Sequence, residues 1–196
     1  MRLCIALLLS IAFLMSAGCR PAAKPVTVGN KPVSINDQPT TNAPQLPPVK
    51  PIEEMSWTLF DGRTGAMGSE QKLKSLQGKV VILDFWATYC GPCLEMIPHL
   101  RKLRETYPGQ LEVVGLHVGG AEDFPAVPAF VDKLKIDYPL ATPESELSRF
   151  VFGDRTEIPQ TAIFGRDGKL LKKMIGFDPT IEKDIDETVA AAIAQK

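Results

Sequence analysis

Net charge, histidine and cysteine are all low in this chain, and each scarcity excludes a class of protein. The 196 residues include 22 Lys and Arg against 23 Asp and Glu, a formal net charge of −1. A chain with this charge balance does not have the excess of basic residues that is typical of nucleic-acid-binding proteins, so we expect no nucleic-acid partner. With only two histidines and four cysteines, the chain has few of the ligands that zinc prefers, and we expect neither a metal nor a cofactor.

The four cysteines fall into two groups. Cys4 and Cys19 lie near the N-terminus, whereas Cys90 and Cys93 form a Cys-x-x-Cys pair around Gly91–Pro92. A domain stapled by disulfides spreads its cysteines through the fold, so one close pair favours redox chemistry.

Three other uses of this pair are open to the sequence. A zinc site would need both His99 and His117 to complete it, because such sites take about four ligands. Copper-delivery proteins that use two cysteines and a histidine have a different cysteine spacing. The third alternative is a structural disulfide without turnover.

The first residues have the pattern of a secretory signal. Arg2 is followed by an apolar run from Leu3 to Met15 and then by small residues, which predicts a signal peptide over residues 1–18. The run is shorter than the roughly 20 residues that span a bilayer, although an uncleaved anchor helix is the alternative.

Cys19 directly follows the small residues Ala17 and Gly18. This arrangement resembles the lipobox of bacterial lipoproteins, except that Ser16 stands where that motif favours Leu. The resemblance implies lipidation of Cys19 and a membrane-anchored lipoprotein on the periplasmic side; plain secretion with a free Cys19 is the alternative. Lipid chains hold a protein on a bilayer through about 0.8 kcal/mol for each buried CH₂ group.

Residues 19–51 are expected to be a disordered linker. The segment has no aromatic residue and eight of the chain's 17 prolines: Pro21, Pro25, Pro32, Pro39, Pro44, Pro47, Pro48 and Pro51. Such a composition buries little apolar surface and favours extended polyproline II structure.

Residues 52–196 are expected to form one α/β domain. Apolar runs and turn signals predict strands over 57–60, 79–86, 111–118, 161–164 and 169–175, and helices over 92–107, 125–135, 144–152 and 179–195, with a helical turn over 72–77. The first of these helices places Leu94, Ile97, Leu100 and Leu103 on one apolar face. This order of elements predicts a central mixed β-sheet covered by helices on both faces.

The Cys-x-x-Cys pair lies between a predicted buried strand and a predicted helix start. A helix N-terminus favours a thiolate, because its unpaired N–H groups give it partial positive charge. We therefore expect Cys90 to be an exposed nucleophile at the helix cap and Cys93, one turn deeper, to be the shielded resolving thiol. Pro92 suits the first helical turn, and Gly91 permits the tight entry into it.

Asp84 lies inside the buried strand 79–86, six residues before Cys90. Burial raises the pKa of a carboxyl group, so Asp84 is a candidate proton acceptor for Cys93. The alternative is that the strand twists and Asp84 meets solvent or a lysine. Pro159 also stands out, because it lies two residues before the strand 161–164 and a proline fits poorly inside a sheet.

Two segments resemble the thioredoxin superfamily, and specifically its membrane-anchored TlpA/ResA-like thiol–disulfide oxidoreductases. They are Val-Ile-Leu-Asp-Phe-Trp-Ala-Thr-Tyr-Cys-Gly-Pro-Cys at 81–93 and Glu-Ile-Pro-Gln-Thr-Ala-Ile-Phe-Gly-Arg-Asp-Gly at 157–168. The similarity covers about residues 52–196. It implies a thioredoxin fold with an N-terminal β-hairpin and a helical insertion around residues 121–152.

The resemblance also implies roles for individual residues. Cys90 is the nucleophile and Cys93 the resolving thiol of a redox-active disulfide, and Asp84 matches the family's buried acid. Pro159 matches the cis-proline that faces the disulfide, and the backbone of Ile158 would pair with a substrate strand. Pro98 would kink the active-site helix. The expected substrate contacts are Trp86, Tyr89, Gly91, Pro92, Ile158 and Pro159.

The chain departs from the family pattern at two places. Tyr89 replaces the usual Trp, and Met96 stands where many TlpA/ResA-like members have Glu. A peroxiredoxin interpretation fails, because Leu83 and Ala87 occupy the places where Pro and Thr are expected.

The resemblance implies a monomeric reductase of disulfides in exported proteins, with apocytochrome c as one candidate substrate. A membrane thiol-transfer protein would supply its electrons. Two alternatives remain: a thiol oxidase or isomerase on the same fold, and a non-catalytic thioredoxin-like adaptor that binds partners through the 158–161 edge.

Overall fold

The computed structural model describes residues 50–195. The predicted signal peptide, Cys19 and the linker up to residue 49 lie outside the described residues. Among the described residues, no helix is both long enough and apolar enough to cross a membrane.

A single mixed sheet of seven strands forms the centre of the domain. The strands are β1 (Ser56–Phe60), β2 (Met67–Lys72), β3 (Val80–Trp86), β4 (Leu111–His117), β5 (Leu140–Pro143), β6 (Gln160–Phe164) and β7 (Leu170–Ile175). Their order across the sheet is β2-β1-β5-β4-β3-β6-β7. Strand β3 pairs in parallel with β4 and antiparallel with β6, so the strand that leads to Cys90 has a neighbour on both sides.

Within residues 50–195, five α-helices accompany the sheet. They are α1 (Cys93–Thr106), α2 (Gly120–Asp123), α3 (Val127–Leu134), α4 (Ser145–Phe152) and α5 (Pro179–Ala194), with short 3₁₀ turns at Ile52–Glu54, Leu73–Leu76 and Phe124–Ala126. The predicted α/β class and thioredoxin-like mixed sheet are confirmed.

The sheet has a separate hydrophobic core on each face, because the side chains of β3 alternate between them. Ile82 and Trp86 pack with residues of α1, α3 and α5, whereas Leu83 and Phe85 pack with residues of α4. Every residue of β3 is buried, as its nearly continuous apolar run predicts. The same alternation places Asp84 on the face that α1 covers.

The segment between β4 and β6 is not purely helical, so the expectation of a helical insertion is corrected. It contains β5, which pairs antiparallel with β1 and in parallel with β4. The predicted helix over 125–135 is also divided, because α3 begins only at Val127 after a 3₁₀ turn that contains Pro125.

The expected hairpin is present, since β1 pairs antiparallel with β2. One residue of the predicted apolar face of α1 is wrongly assigned. Leu94 is 37% exposed, whereas Met96 is fully buried beside Ile97 and Leu100. At the first turn, the face that meets the sheet runs through Cys93 rather than Leu94.

Candidate redox active site

Cys90 and Cys93 are joined by a disulfide bond, with their Cα atoms 5.4 Å apart. Cys93 is the first residue of α1, and Pro92 is the N-cap. Because the disulfide bonds it to Cys93, the sulfur of Cys90 lies at the N-terminus of α1. This is the end where the helix dipole favours negative charge.

Two details of the expected geometry at Cys90 need correction. Cys90 lies two residues before the N-cap and not at the cap itself. It is also not freely exposed, since only 5% of its surface meets solvent, against 0% for Cys93. A turn closed by a hydrogen bond from Cys90 N to Ala87 O, 3.2 Å long, folds the residue back against the end of β3. Access to the disulfide is therefore through Cys90.

Asp84 is fully buried, and neither of its carboxylate oxygens has a hydrogen-bond partner among the described residues. The alternative in which Asp84 meets solvent or a lysine is wrong. Burial raises the pKa of Asp84 from 3.8 to about 7, because the charged form loses its hydration without gaining a partner. A carboxyl group with this pKa can accept or release a proton near neutral pH.

Pro159 lies at the same end of the sheet as the disulfide. The antiparallel register pairs Asp84 with Thr161 and Phe85 with Gln160. Pro159, which precedes Gln160, therefore lies near the end of β3 that leads to Cys90. The Ile158–Pro159 peptide bond is cis, the isomer that the resemblance implies. The carbonyl oxygen of Pro159 accepts a hydrogen bond from Gly176 N at 2.8 Å.

The residues expected to contact a substrate differ in exposure. Tyr89 is 70% exposed, Gly91 and Pro92 are exposed as well, and Ile158 is half-buried while Pro159 is buried. Trp86 is fully buried, so its expected contact with a substrate is wrong.

The burial of Trp86 has a clear structural cause. It is the last residue of β3, and its ring stacks on Phe130 of α3 with ring centroids 5.0 Å apart. Its side chain therefore belongs to the core beneath the turn at 87–90, called the redox turn below.

An open groove of about 430 Å³ begins at the exposed Tyr89 and extends along the C-terminal part of α4. Its lining includes the apolar residues Val118, Phe152 and Ile158 and the basic residue Arg149. Because Tyr89 lines the groove and directly precedes Cys90, the groove lies next to the disulfide.

Neither histidine joins the cysteines in a metal site. His117 is packed at the end of β4 with its Nε2 atom 2.8 Å from Asp123 Oδ2. His99 belongs to α1 and contacts α5, with Nδ1 3.3 Å from Glu182 and Nε2 2.9 Å from Asp186. Within residues 50–195, no group of three or more His, Cys, Asp or Glu side chains suits a metal ion.

Asp123 is the residue near the site that the sequence interpretation missed. Its carboxylate contacts Thr88 in the redox turn, 35 positions earlier in the chain. Nothing in the local pattern at residue 123 indicates this contact, because it depends on how α2 folds back over the end of the sheet.

The family follows from a comparison of the chain with known proteins. Residues 45–191 match the family described as Redoxin. The chain belongs to the Redoxin family. The prediction of a TlpA/ResA-like member of the thioredoxin superfamily is thereby confirmed at the level of family and fold.

The chain is also similar to two named relatives. Thiol-disulfide oxidoreductase ResA of Halalkalibacterium halodurans is 31% identical over 110 residues, which cover 56% of this chain and 61% of that protein. Mitochondrial thioredoxin-3 of Saccharomyces cerevisiae is 35% identical over 112 residues, which cover 57% of this chain and 67% of that protein. The chain thus spans about three fifths of the length of the ResA proteins it matches.

A solved structure shows the same fold. The thiol:disulfide interchange protein of the thioredoxin family from Chlorobium tepidum aligns with a TM-score of 0.58 and 25% identity, over 74% of this chain and 98% of that one. The described domain of this Redoxin-family chain is therefore similar to a complete thioredoxin-like domain.

Proposed function

We propose that this chain is a protein-disulfide reductase that acts by exchange through Cys90 and Cys93. The observation that supports this most directly is the Cys90–Cys93 disulfide at the N-terminus of α1, in a domain where a carboxyl group is buried without a partner. Relatives named thiol-disulfide oxidoreductases support the same assignment.

The first step of the reaction uses Cys90. In the reduced protein the Cys90 thiolate attacks one sulfur of a substrate disulfide, and the substrate S–S bond breaks as the Cys90–substrate bond forms. The departing substrate thiolate takes up a proton. Cys90 is suited to this role because it is the only one of the two cysteines that meets solvent, and because its sulfur lies at the positive end of α1.

The second step uses Cys93 and Asp84. Asp84, with its pKa raised to about 7 by burial, accepts the proton of the Cys93 thiol, and the Cys93 thiolate then attacks the sulfur of Cys90. The Cys90–Cys93 bond forms as the bond to the substrate breaks, and the second substrate thiolate leaves. The protein dithiol loses two electrons in this exchange, and the substrate disulfide gains them.

The exposed residues around the disulfide define where a substrate would bind. Tyr89, Gly91 and Pro92 are exposed next to Cys90, and we propose that the backbone at Ile158 pairs with an extended substrate segment. The groove between Tyr89 and Phe152 would receive an apolar side chain of that segment.

We further propose that the protein works outside the cytoplasm, tethered to the membrane through Cys19. The support is the signal pattern over 1–18, the cysteine that follows it and the proline-rich linker over 19–51. Replacing Cys19 with Ala should release the protein from the membrane fraction, whereas Cys4→Ala, within the signal, should leave it bound. A Cys19→Ala protein that has lost residues 1–18 and still stays membrane-bound would contradict the lipid tether.

Turnover separates a reductase from the alternatives. The full chain should catalyse reduction of insulin by dithiothreitol, and Cys90→Ser should abolish that activity. A wild-type chain without turnover would favour an adaptor. A redox potential near −120 mV, as in strong oxidases, rather than below about −200 mV, would reverse the proposed direction of electron flow.

The natural substrates can be captured covalently. In Cys93→Ser the second step is blocked, so the mixed disulfide on Cys90 accumulates and can be identified by mass spectrometry. We expect disulfide-bonded exported proteins, with apocytochrome c as one candidate, and a membrane thiol-transfer protein as electron donor. If no covalent partner is trapped on Cys90, or if the Cys90→Ser, Cys93→Ser control gives the same proteins, the substrate-reductase proposal is overturned.

A further inference from the structure

The turn that positions Cys90 is held by a carboxylate from another part of the chain. Thr88 lies inside the turn that the hydrogen bond from Cys90 N to Ala87 O closes. Its backbone N donates to Asp123 Oδ2 at 2.8 Å, and its hydroxyl group donates to Asp123 Oδ1. Both oxygens of one carboxylate therefore bind the same residue, two positions before the nucleophilic cysteine.

Asp123 is itself held in place by His117. His117 Nε2 lies 2.8 Å from Asp123 Oδ2, and the two side chains are only 2% and 9% exposed. Because an ionised carboxylate only accepts hydrogen bonds, the His117 ring donates from Nε2. The ring is fixed in turn by edge contacts with Trp86 and Phe124.

The backbone near Asp123 is built to permit this approach. Gly119 faces the carboxylate so closely that a Cβ atom at residue 119 would collide with it. Asp123 also precedes the 3₁₀ turn Phe124–Ala126, but its side chain makes no capping hydrogen bond to that turn. The position of Asp123 therefore serves the contact with Thr88 rather than the stability of its own helix.

The carboxylate stays charged in this environment. Burial raises the pKa of Asp123, but the hydrogen bonds from Thr88 and His117 outweigh burial, and the net pKa is lowered. Hydrogen bonds to a charged acceptor are about twice as strong as neutral ones. The link between α2 and the redox turn is thus a strong one at neutral pH.

We propose that Asp123 is a positioning residue of the redox site, which orients the turn of Cys90 through Thr88 and is itself oriented by His117. This inference rests on the proposed exchange function of Cys90. It assigns no contact between Asp123 and the sulfur. The carboxylate fixes the backbone from which Cys90 attacks, and a loosened turn spends less time in the attacking geometry.

Three substitutions separate positioning from charge. Asp123→Ala removes every bond of the carboxylate, whereas Asp123→Asn keeps the shape, because its oxygen accepts from Thr88 N and its amide can donate to the Thr88 hydroxyl. Thr88→Val removes one of the two bonds and keeps the backbone bond. Glu122→Ala is the matched control, since Glu122 is an exposed neighbour in α2.

The readout is the rate of attack by Cys90 on oxidised glutathione, measured across pH in the full chain with Cys93→Ser and followed at Cys90 by mass spectrometry. We expect Asp123→Ala to slow the attack by about tenfold at every pH, with the midpoint of the pH profile unchanged. Asp123→Asn and Glu122→Ala should react within about twofold of the parent, and Thr88→Val should be about threefold slower.

The outcomes are distinct. A folded Asp123→Ala protein that reacts like the parent overturns the inference, and so does an Asp123→Asn protein as slow as Asp123→Ala, because the carboxylate would then act by charge. If Asp123→Ala fails to fold, an unchanged rate in Thr88→Val overturns it. Failure of the proposed function would be seen in a different assay. The wild-type chain would then not reduce insulin, and this result does not depend on the ratio of rates between the variants.

Discussion

Replacing Asp84 with Asn tests the buried acid through the stability of the fold. Burial without a hydrogen-bond partner raises the pKa of Asp84 from 3.8 to about 7. The folded protein therefore binds a proton at Asp84 between these pH values, whereas the unfolded chain does not. Since the folded state binds more protons in this range, the free energy of unfolding falls as the pH rises from about 4 to about 7 and then stays level.

The size of this effect follows from the pKa. Each tenfold change in proton affinity corresponds to about 1.4 kcal/mol, so ionising Asp84 in the folded protein lowers stability by about 4 kcal/mol above pH 7. Asn has a similar shape and never ionises. Asp84→Asn should thus match the wild-type protein near pH 4 and exceed its free energy of unfolding by about 4 kcal/mol near pH 8.

Urea unfolding of the oxidised proteins at a series of pH values measures this difference. The exposed Asp154 offers a matched control, since Asp154→Asn makes the same chemical change outside the core. A stability difference for Asp84→Asn that does not grow between pH 4 and pH 8 would refute the buried, unpaired state of Asp84.

In the reduced protein, Asp84→Asn should also slow the second exchange step at pH 7 by about 10- to 100-fold, because the proton of Cys93 loses its acceptor.

Three further substitutions test the surrounding framework by thermal or urea unfolding. Gly115→Ala should lower the free energy of unfolding by about 1–3 kcal/mol, because its Cβ would lie 2.8 Å from Leu140 and 2.9 Å from Trp86 Nε1; unchanged stability would contradict this tight packing. Leu100→Ala should lower it by about 2–5 kcal/mol, since Leu100 is fully buried between α1 and the sheet. Asp178→Ala should lower it by about 1 kcal/mol by removing the cap that accepts from Thr180 N and Ile181 N, whereas Asp178→Asn should preserve most of that contribution.

Local sequence signals specify the elements closest to the disulfide. The nearly unbroken apolar run over 79–86 predicts a fully buried strand, and β3 has that property along its whole length. The same run makes Asp84 conspicuous, because a carboxylate rarely stands inside such a strand without a function. Both inferences depend only on neighbouring residues, so a single sequence supports them.

Long-range packing explains what the sequence interpretation missed or assigned wrongly. Strand β5 has four residues and ends in a proline, too short a pattern to be recognised without its partners β1 and β4. The family resemblance implies a substrate contact for Trp86, but the stacking of its ring on Phe130 of α3 holds it in the core. The contact of Asp123 with Thr88 likewise joins residues far apart in the chain.

The ionisation of Cys90 in the reduced protein tests the central claim most directly. The pH dependence of alkylation at Cys90, followed by mass spectrometry in the reduced full chain, gives the pKa of this one thiol. Because its sulfur lies at the N-terminus of α1, we expect a pKa below about 7.5, against about 8.5 for a free cysteine. A pKa of about 8.5 or above would show that the helix does not activate this sulfur and would contradict the proposed exchange mechanism.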